Sequence, residues 1–243
     1  MGWGKGGYGD FGEYESVAQK RARAAKRLAR LRRENPQVAP ISIEGRTIAR
    51  SWWAKAWIRN LESYADYANR IDRGKGYLRY GMVLDLIIEE NMVNALVMGS
   101  GNKTYGVQVR IEPLSEARVA DIARFCGNRI TDTAQLAEGT FPKEFGERFL
   151  DQKQGLFPSP REIHFSCTCP DYAYMCKHVA AVLYGIGARF DDDPLLFFKL
   201  RSIPTEDLIK RSVDMKMESM LKNARKKTPR VIRDEDINEL FNL

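Results

Sequence analysis

The chain has only two histidines and four cysteines in 243 residues. So few imidazoles leave little room for general acid–base chemistry, and no nucleophile–base pair or carboxylate constellation accompanies them. No apolar run approaches the ~20 residues needed to span a bilayer. The start, Met1-Gly-Trp-Gly-Lys-Gly-Gly, lacks the apolar segment of a secretion signal, and position 6 is Gly where a myristoylation signal has Ser or Thr. These absences make a cytoplasmic chain with reduced thiols the expectation, with no membrane partner. Gly99-Ser-Gly-Asn-Lys103-Thr104 superficially suggests a phosphate loop. Asn102 interrupts the required Gly-Lys step and a strand pattern follows, so it reads as a hairpin turn and ATP binding has no support.

What is present is positive charge. The net charge is +7 and the sequence pI about 9.2. That balance suits a polyanion, with nucleic acid first and an anionic membrane surface second. Residues 16 to 34 concentrate it: Lys20, Arg21, Arg23, Lys26, Arg27, Arg30, Arg32 and Arg33 stand against one acid, Glu34. Val17, Ala24, Leu28 and Leu31 give a thin apolar stripe, and Asn35-Pro36 stops the helix. Such a helix is either a phosphate-binding element or a solvated helix that docks on the body or stays disordered. Lys20, Arg21, Arg23, Lys26, Arg27, Arg30 and, farther on, Lys177 are the candidate nucleic-acid contacts. Ahead of the helix, residues 1 to 15 alternate Gly with Trp3, Tyr8, Phe11 and Tyr14. They read as an arm with too little to bury.

The cysteines are not scattered. Three of the four, and one of the two histidines, fall within twelve positions: Cys167-Thr-Cys169-Pro-Asp-Tyr-Ala-Tyr-Met-Cys176-Lys-His178. Three thiolates and one imidazole complete a tetrahedral set for zinc, with no position left for water. The alternatives are buried free thiols or a redox pair, but C-x-C strains a disulfide and the usual redox spacing is C-x-x-C. Cys167 and Cys169 are expected on a short hairpin kinked at Pro170. Cys176 and His178 are expected at the start of a helix with Val179, Val182, Leu183 and Ile186 on one face. His164 could compete as a ligand but reads as a packing or surface residue, and Cys126 as a buried structural thiol.

This pattern resembles the SWIM-type zinc finger, in the wording Ser166-Cys-Thr-Cys-Pro-Asp and Cys176-Lys-His-Val-Ala-Ala-Val-Leu-Tyr184 found in bacterial and archaeal proteins. Ser51-Trp-Trp-Ala-Lys-Ala-Trp-Ile58, Arg73-Gly-Lys-Gly-Tyr77, Gly81-Met-Val-Leu-Asp-Leu86 and Asp193-Pro-Leu-Leu196 resemble other segments of the same prokaryotic family, over roughly residues 40 to 200. The resemblance implies zinc binding and a role in DNA or protein interaction. It also implies a Swi/Snf-type helicase-like ATPase as a frequent companion.

The rest of the chain reads as α+β: a small antiparallel sheet with packed helices, a SWIM-like finger and a helical C-terminus. Residues 37 to 48 look extended. Residues 50 to 70 read as a helix with Trp53, Trp57 and Leu61 on one core-facing side. Arg73-Gly-Lys-Gly76 reads as a basic turn. Runs at 77 to 80, 83 to 88, 92 to 97 and 105 to 111 read as strands of a meander. Helices are expected from Pro113 to Cys126, Thr131 to Ala137 and Pro142 to Leu150. Asp191-Asp-Asp193-Pro194 reads as the capped start of the helix that follows the finger. The expected division is a basic extension (1–36), an α+β domain (37–160), the finger (161–190) and a helical C-terminal region (191–243). Nucleic-acid binding, DNA first, is the leading function. A zinc-stabilised protein-interaction adaptor is the alternative, and an enzyme the weakest reading.

Overall fold

A computed structural model of the chain describes residues 15–43, 45–63, 68–100, 102–126, 151 and 155–224. The Gly-aromatic arm, the helical candidates at 131–137 and 142–150, and the acidic, apolar end at 231–243 lie outside the described residues. So does the side chain of Cys126.

Four strands form one antiparallel sheet in the order β1 (Val83–Glu89), β2 (Met92–Met98), β3 (Thr104–Ile111) and β4 (Ile163–Cys167). The alternating pattern works as expected: Leu84, Leu86, Ile88, Val93, Val97, Val107, Val109, Ile111 and Ile163 are buried, while Ile87 is exposed. β1 and β2 are joined through Asn91 at φ 58°, a left-handed position that Asn tolerates better than most residues. The free edge of β1 is covered by the extended segment near residue 40, where Ile41 N donates to Val83 O and Leu86 N to Ala39 O. Covering an edge in this way removes a template for unwanted strand pairing.

The centre of the core is a helix, α5 (Lys177–Asp192), with His178 to Ala188 and Phe190 buried. From His178 to Ala188 it is buried on all sides rather than on one face. Its small residues are what allow this: a Cβ on Gly185 would come within 2.8 Å of Leu86 Cδ1, and one on Gly187 within 3.0 Å of the Trp57 ring. α2 (Trp52–Glu62) lies against it, and Trp57 Nε1 donates to Leu183 O at 2.8 Å. Trp53 and Trp57 are fully buried and meet Phe157, Phe190, Phe197 and Phe198 at ring distances of 4.9 to 6.3 Å. They are core anchors, as their spacing indicated.

Helix α3 (Ala68–Arg79) corrects the expectation for its segment. Arg73-Gly-Lys-Gly76 is not a turn and 77 to 80 is not a strand; all but Tyr80 are helical. The physical reason is tertiary. Gly74 lets α3 press against Ala180 and Ala181 of α5, and that contact outweighs the poor helix propensity of two glycines. The helix ends instead at Gly81, with φ 71°. Gly81 N donates to Leu78 O and Met82 N to Tyr77 O, which is a Schellman cap.

α1 (Val17–Glu34) starts with a capping box between Ser16 and Gln19 and docks on the body. Ala24 is buried, and Leu28 and Leu31 pack against the core. α4 (Glu116–Cys126), α6 (Leu195–Leu200) and α7 (Thr205–Ala224) complete the described α-helices. The acidic run is placed differently from expectation. Asp191 and Asp192 end α5, and Asp191 accepts from Arg50 N at 2.6 Å and Ser51 N at 2.8 Å, fastening the N-cap residue of α2 instead of starting α6. Asp193 alone turns to the next helix, accepting from Leu195 N at 2.9 Å.

Candidate metal centre

β4 ends on Cys167, opposite Val107 of β3. The first two thiols therefore do not stand on a self-contained hairpin: they continue the sheet. Thr168, between them, holds the chain in place. Its N–H donates to Gly106 O, and its Oγ1 accepts from Gly106 N, both at 3.0 Å. The kink then carries Cys169 and Pro170 away from the strand. Asp171 closes a short turn by accepting from Ala173 N at 3.1 Å. Tyr174 ties the loop back through its hydroxyl to Ile163 O at 3.0 Å and its ring against Phe165 at 5.2 Å. Cys176 is the N-cap of α5, and His178 lies in the first turn.

This folding brings the four predicted ligands together. The Sγ atoms of Cys167, Cys169 and Cys176 and a ring nitrogen of His178 all lie within 4.8 Å of one another. His178 Nδ1 is 3.9 Å from Cys167 Sγ and 3.8 Å from Cys176 Sγ. A tetrahedral zinc with arms of about 2.3 Å to sulfur and about 2.0 Å to nitrogen spans roughly 3.6 Å between them. Distances and donor chemistry both fit Zn2+, with Cys167, Cys169, Cys176 and His178 positioned to hold it.

The electrostatics agree. Cys176 is pulled down to about 3, first by the hydrogen bond from Cys167 and then by those from His178 and the Val179 N–H at the helix start, against the cost of burial. Cys167 is pushed up, first by that same hydrogen bond and then by burial. A divalent cation held by this cluster would settle all three thiols as thiolates, because a coordinating thiol is deprotonated outright. His178 is buried, its ring 4.8 Å from that of Tyr105 and 5.4 Å from that of Tyr77. These two aromatics, from β3 and α3, wall the centre, and nothing local in the sequence marks them. His164 is not in the cluster; its Nε2 meets Glu112 Oε1 at 3.0 Å on the sheet.

The candidate nucleic-acid residues are more dispersed. Lys26 and Arg30 are exposed on α1, and Arg30 meets Glu34 at 3.1 Å. Arg21 is exposed and donates to Arg79 O at 3.2 Å. Lys20 lies 5.6 Å from the Tyr80 ring centre. Arg23 is half-buried and forks onto Glu15 at 2.7 and 2.8 Å while reaching Gly99 O. Arg27 is half-buried, and its Nε has no partner among the described residues. Lys177, beside the metal ligands, lies 5.3 Å from the Tyr77 ring centre. The structure thus brings Lys177 to the centre and leaves the α1 cations on a separate helix.

The SWIM zinc finger family matches residues 163–185, which are β4, the ligand loop and the first half of α5. The chain is also similar to the uncharacterized protein Rv2102 of Mycobacterium tuberculosis, with 34% identity over 163 residues. That stretch is 67% of this chain and 58% of the relative, so the match spans less than two thirds of the relative's length. No solved structure matches the chain. With its Cys3His cluster spread over a strand end, a loop and a helix start, residues 163–185 of the chain match the SWIM zinc finger.

Proposed function

We propose that the protein is a nucleic-acid-binding module, acting on DNA, in which zinc holds the fold and surface cations do the binding. The observation that carries this reading is the docking of α1. Its stripe of Ala24, Leu28 and Leu31 faces the core, which turns Lys26, Arg30, Arg32 and Arg33 to solvent. With a net charge of +7, that arrangement rewards a polyanion by counterion release. In this reading zinc does no chemistry, because four protein ligands leave no coordination position for water. The protein works in the reducing cytoplasm, alongside a Swi/Snf-type helicase-like ATPase on the same nucleic acid.

The test is a titration of duplex DNA with the zinc-loaded chain at two salt concentrations. Lys26→Gln/Arg30→Gln/Arg33→Gln is run alongside. The expected result is affinity that falls steeply with salt and a shallower slope in the variant. No binding by the parent at low salt would overturn the proposal.

One observation favours a second reading, an adaptor without nucleic-acid contact. Val213, Met217, Met220 and Leu221 of α7 are 45 to 64% exposed, at a spacing that places them on one side of the helix. That reading predicts salt-tolerant binding of a protein partner, lost in Met217→Asp/Met220→Asp.

A further inference from the structure

Two concavities meet at Arg79. One, of about 420 Å³, is lined by Arg46, Lys55, Arg59, Lys75 and Arg79 around Tyr184. The other, of about 760 Å³, lies between α1 and the segment near residue 42, with Arg21, Arg32 and Arg79 in its wall. Among the described residues, neither wall contains a carboxylate. The cations are fixed relative to one another through backbone. Arg79 Nε and Nη2 donate to Arg46 O at 3.1 and 2.8 Å, and Arg79 O accepts from Arg21 Nη2.

Not every charge here is available. Lys75 is engaged by Glu62 at 2.8 Å and Asp72 at 3.1 Å. Arg46, Lys55 and Arg59 are exposed, and among the described residues none has an acidic partner. Some arginines elsewhere on the body do: Arg118 and Arg201 meet Glu162, and Arg124 meets Asp121. Lys55 and Arg59 are four apart on α2, a spacing at which like charges destabilise a helix. Uncompensated charge of that kind fits an anion from outside the chain.

We propose that this face, from Arg32 and Arg21 on α1 across Arg79 to Arg46, Lys55 and Arg59, is the track for successive phosphates of one nucleic-acid backbone. The cations are spread over three helices and the segment before α2, where Arg46 lies, instead of converging on one point, so a single phosphate cannot meet them all and a repeating polyanion can. The inference rests on the nucleic-acid reading above and adds a surface to it: α1 is one bank of the track, and α2, which the sequence marks only as a core helix, is the other.

The test uses the full, zinc-loaded chain and a mixed-sequence duplex over a series of salt concentrations. Arg46→Gln/Lys55→Gln/Arg59→Gln is compared with Lys103→Gln/Arg161→Gln/Lys199→Gln, which removes three exposed cations outside the track. Each lost phosphate contact lowers the log–log salt slope by about 0.9. The track variant should therefore lose roughly two to three in slope and bind at least about tenfold more weakly, while the control stays near the parent. If both variants weaken alike, the charge is diffuse and the track is wrong, although the nucleic-acid reading survives. If the parent itself does not bind, that reading fails and the track with it. If polyglutamate displaces the duplex at equal charge concentration, the face is not built for nucleic acid and the proposal is overturned.

Discussion

Gly74 of α3 lies so close to Ala180 of α5 that a Cβ built on it would stand 2.6 Å from the Ala180 carbonyl carbon. The obstacle is backbone at the centre of the core, not the end of a flexible side chain. Gly74→Ala should therefore destabilise the protein by about 1–3 kcal/mol through overpacking, although Ala is the better helix former by roughly 1 kcal/mol. Urea unfolding checks this; an unchanged or higher midpoint would show that the two helices can separate at no cost.

Cys169→Ser and Cys176→Ser should each abolish stoichiometric zinc, read by metal analysis of the purified chain. Because α5 is the central core helix as well as the finger helix, the loss should spread beyond the finger. Chelation should lower the unfolding temperature of the parent by about 10 °C or more and leave either variant unmoved. A parent that keeps its unfolding temperature in chelator would show that apolar packing holds α5 without metal.

Asp191 bridges the end of α5 to the start of α2, accepting from Arg50 N, Ser51 N and Ser51 Oγ. Asp191→Ala leaves those donors without their acceptor and should cost about 1–2 kcal/mol. The urea midpoint should fall with no change in slope. A loss below a few tenths of a kcal/mol would mean that Ser51, whose own Oγ accepts from Ala54 N at 3.1 Å, caps the helix unaided.

Glu162 joins the C-terminal half to the sheet. Its carboxylate accepts from Arg201 Nη2 at 2.8 Å, from Ser159 N at 2.9 Å and from Ser159 Oγ at 2.8 Å. Burial raises this carboxyl, but the hydrogen bonds from Arg201 and Ser159 outweigh it and hold it below the ordinary range. A folded value below the unfolded one gives stability that is fully present above the unfolded carboxylate value, about 4.3. That stability is lost as pH falls through the lower folded value. Glu162→Gln should be less stable than the parent at neutral pH, and the difference should close below about pH 4. A constant difference from pH 7 to pH 3 would overturn the assignment. Arg201 is fully buried, so Arg201→Met removes the closer of Glu162's two arginines, leaving Arg118 at 3.4 Å, and should cost about 3 kcal/mol of stability, read from the urea midpoint.

Much of the centre was legible because its determinants are local. Three cysteines and a histidine within twelve positions constrain one another through a short chain, so spacing alone identifies the ligands. The meander was legible for a similar reason: a sheet with one buried face imposes a period of two on each strand. Trp53, Trp57 and Leu61 repeat every four residues and could only be one face of a helix.

What the sequence could not express were choices made between distant segments. Arg73-Gly-Lys-Gly76 looks like a turn because glycine is a poor helix former; it is a helix because Ala180, over a hundred positions away, requires a neighbour without a side chain. Asp191 opens the acidic run before Pro194 and looks like part of the start of the next helix, yet its acceptors serve Arg50 and Ser51, 141 and 140 positions earlier. The basic helix is plain in the sequence, but which of its cations face solvent depends on where Ala24 docks. That Arg46, Lys55 and Arg59 share a concavity with Arg79 depends on how α2 and α3 pack around α5. Local spacing determined the metal site, the strands and the sign of the surface. Tertiary packing alone decided which glycines are helical, which carboxylates cap, and which cations lie side by side, because those outcomes follow from contacts between residues that the sequence keeps far apart.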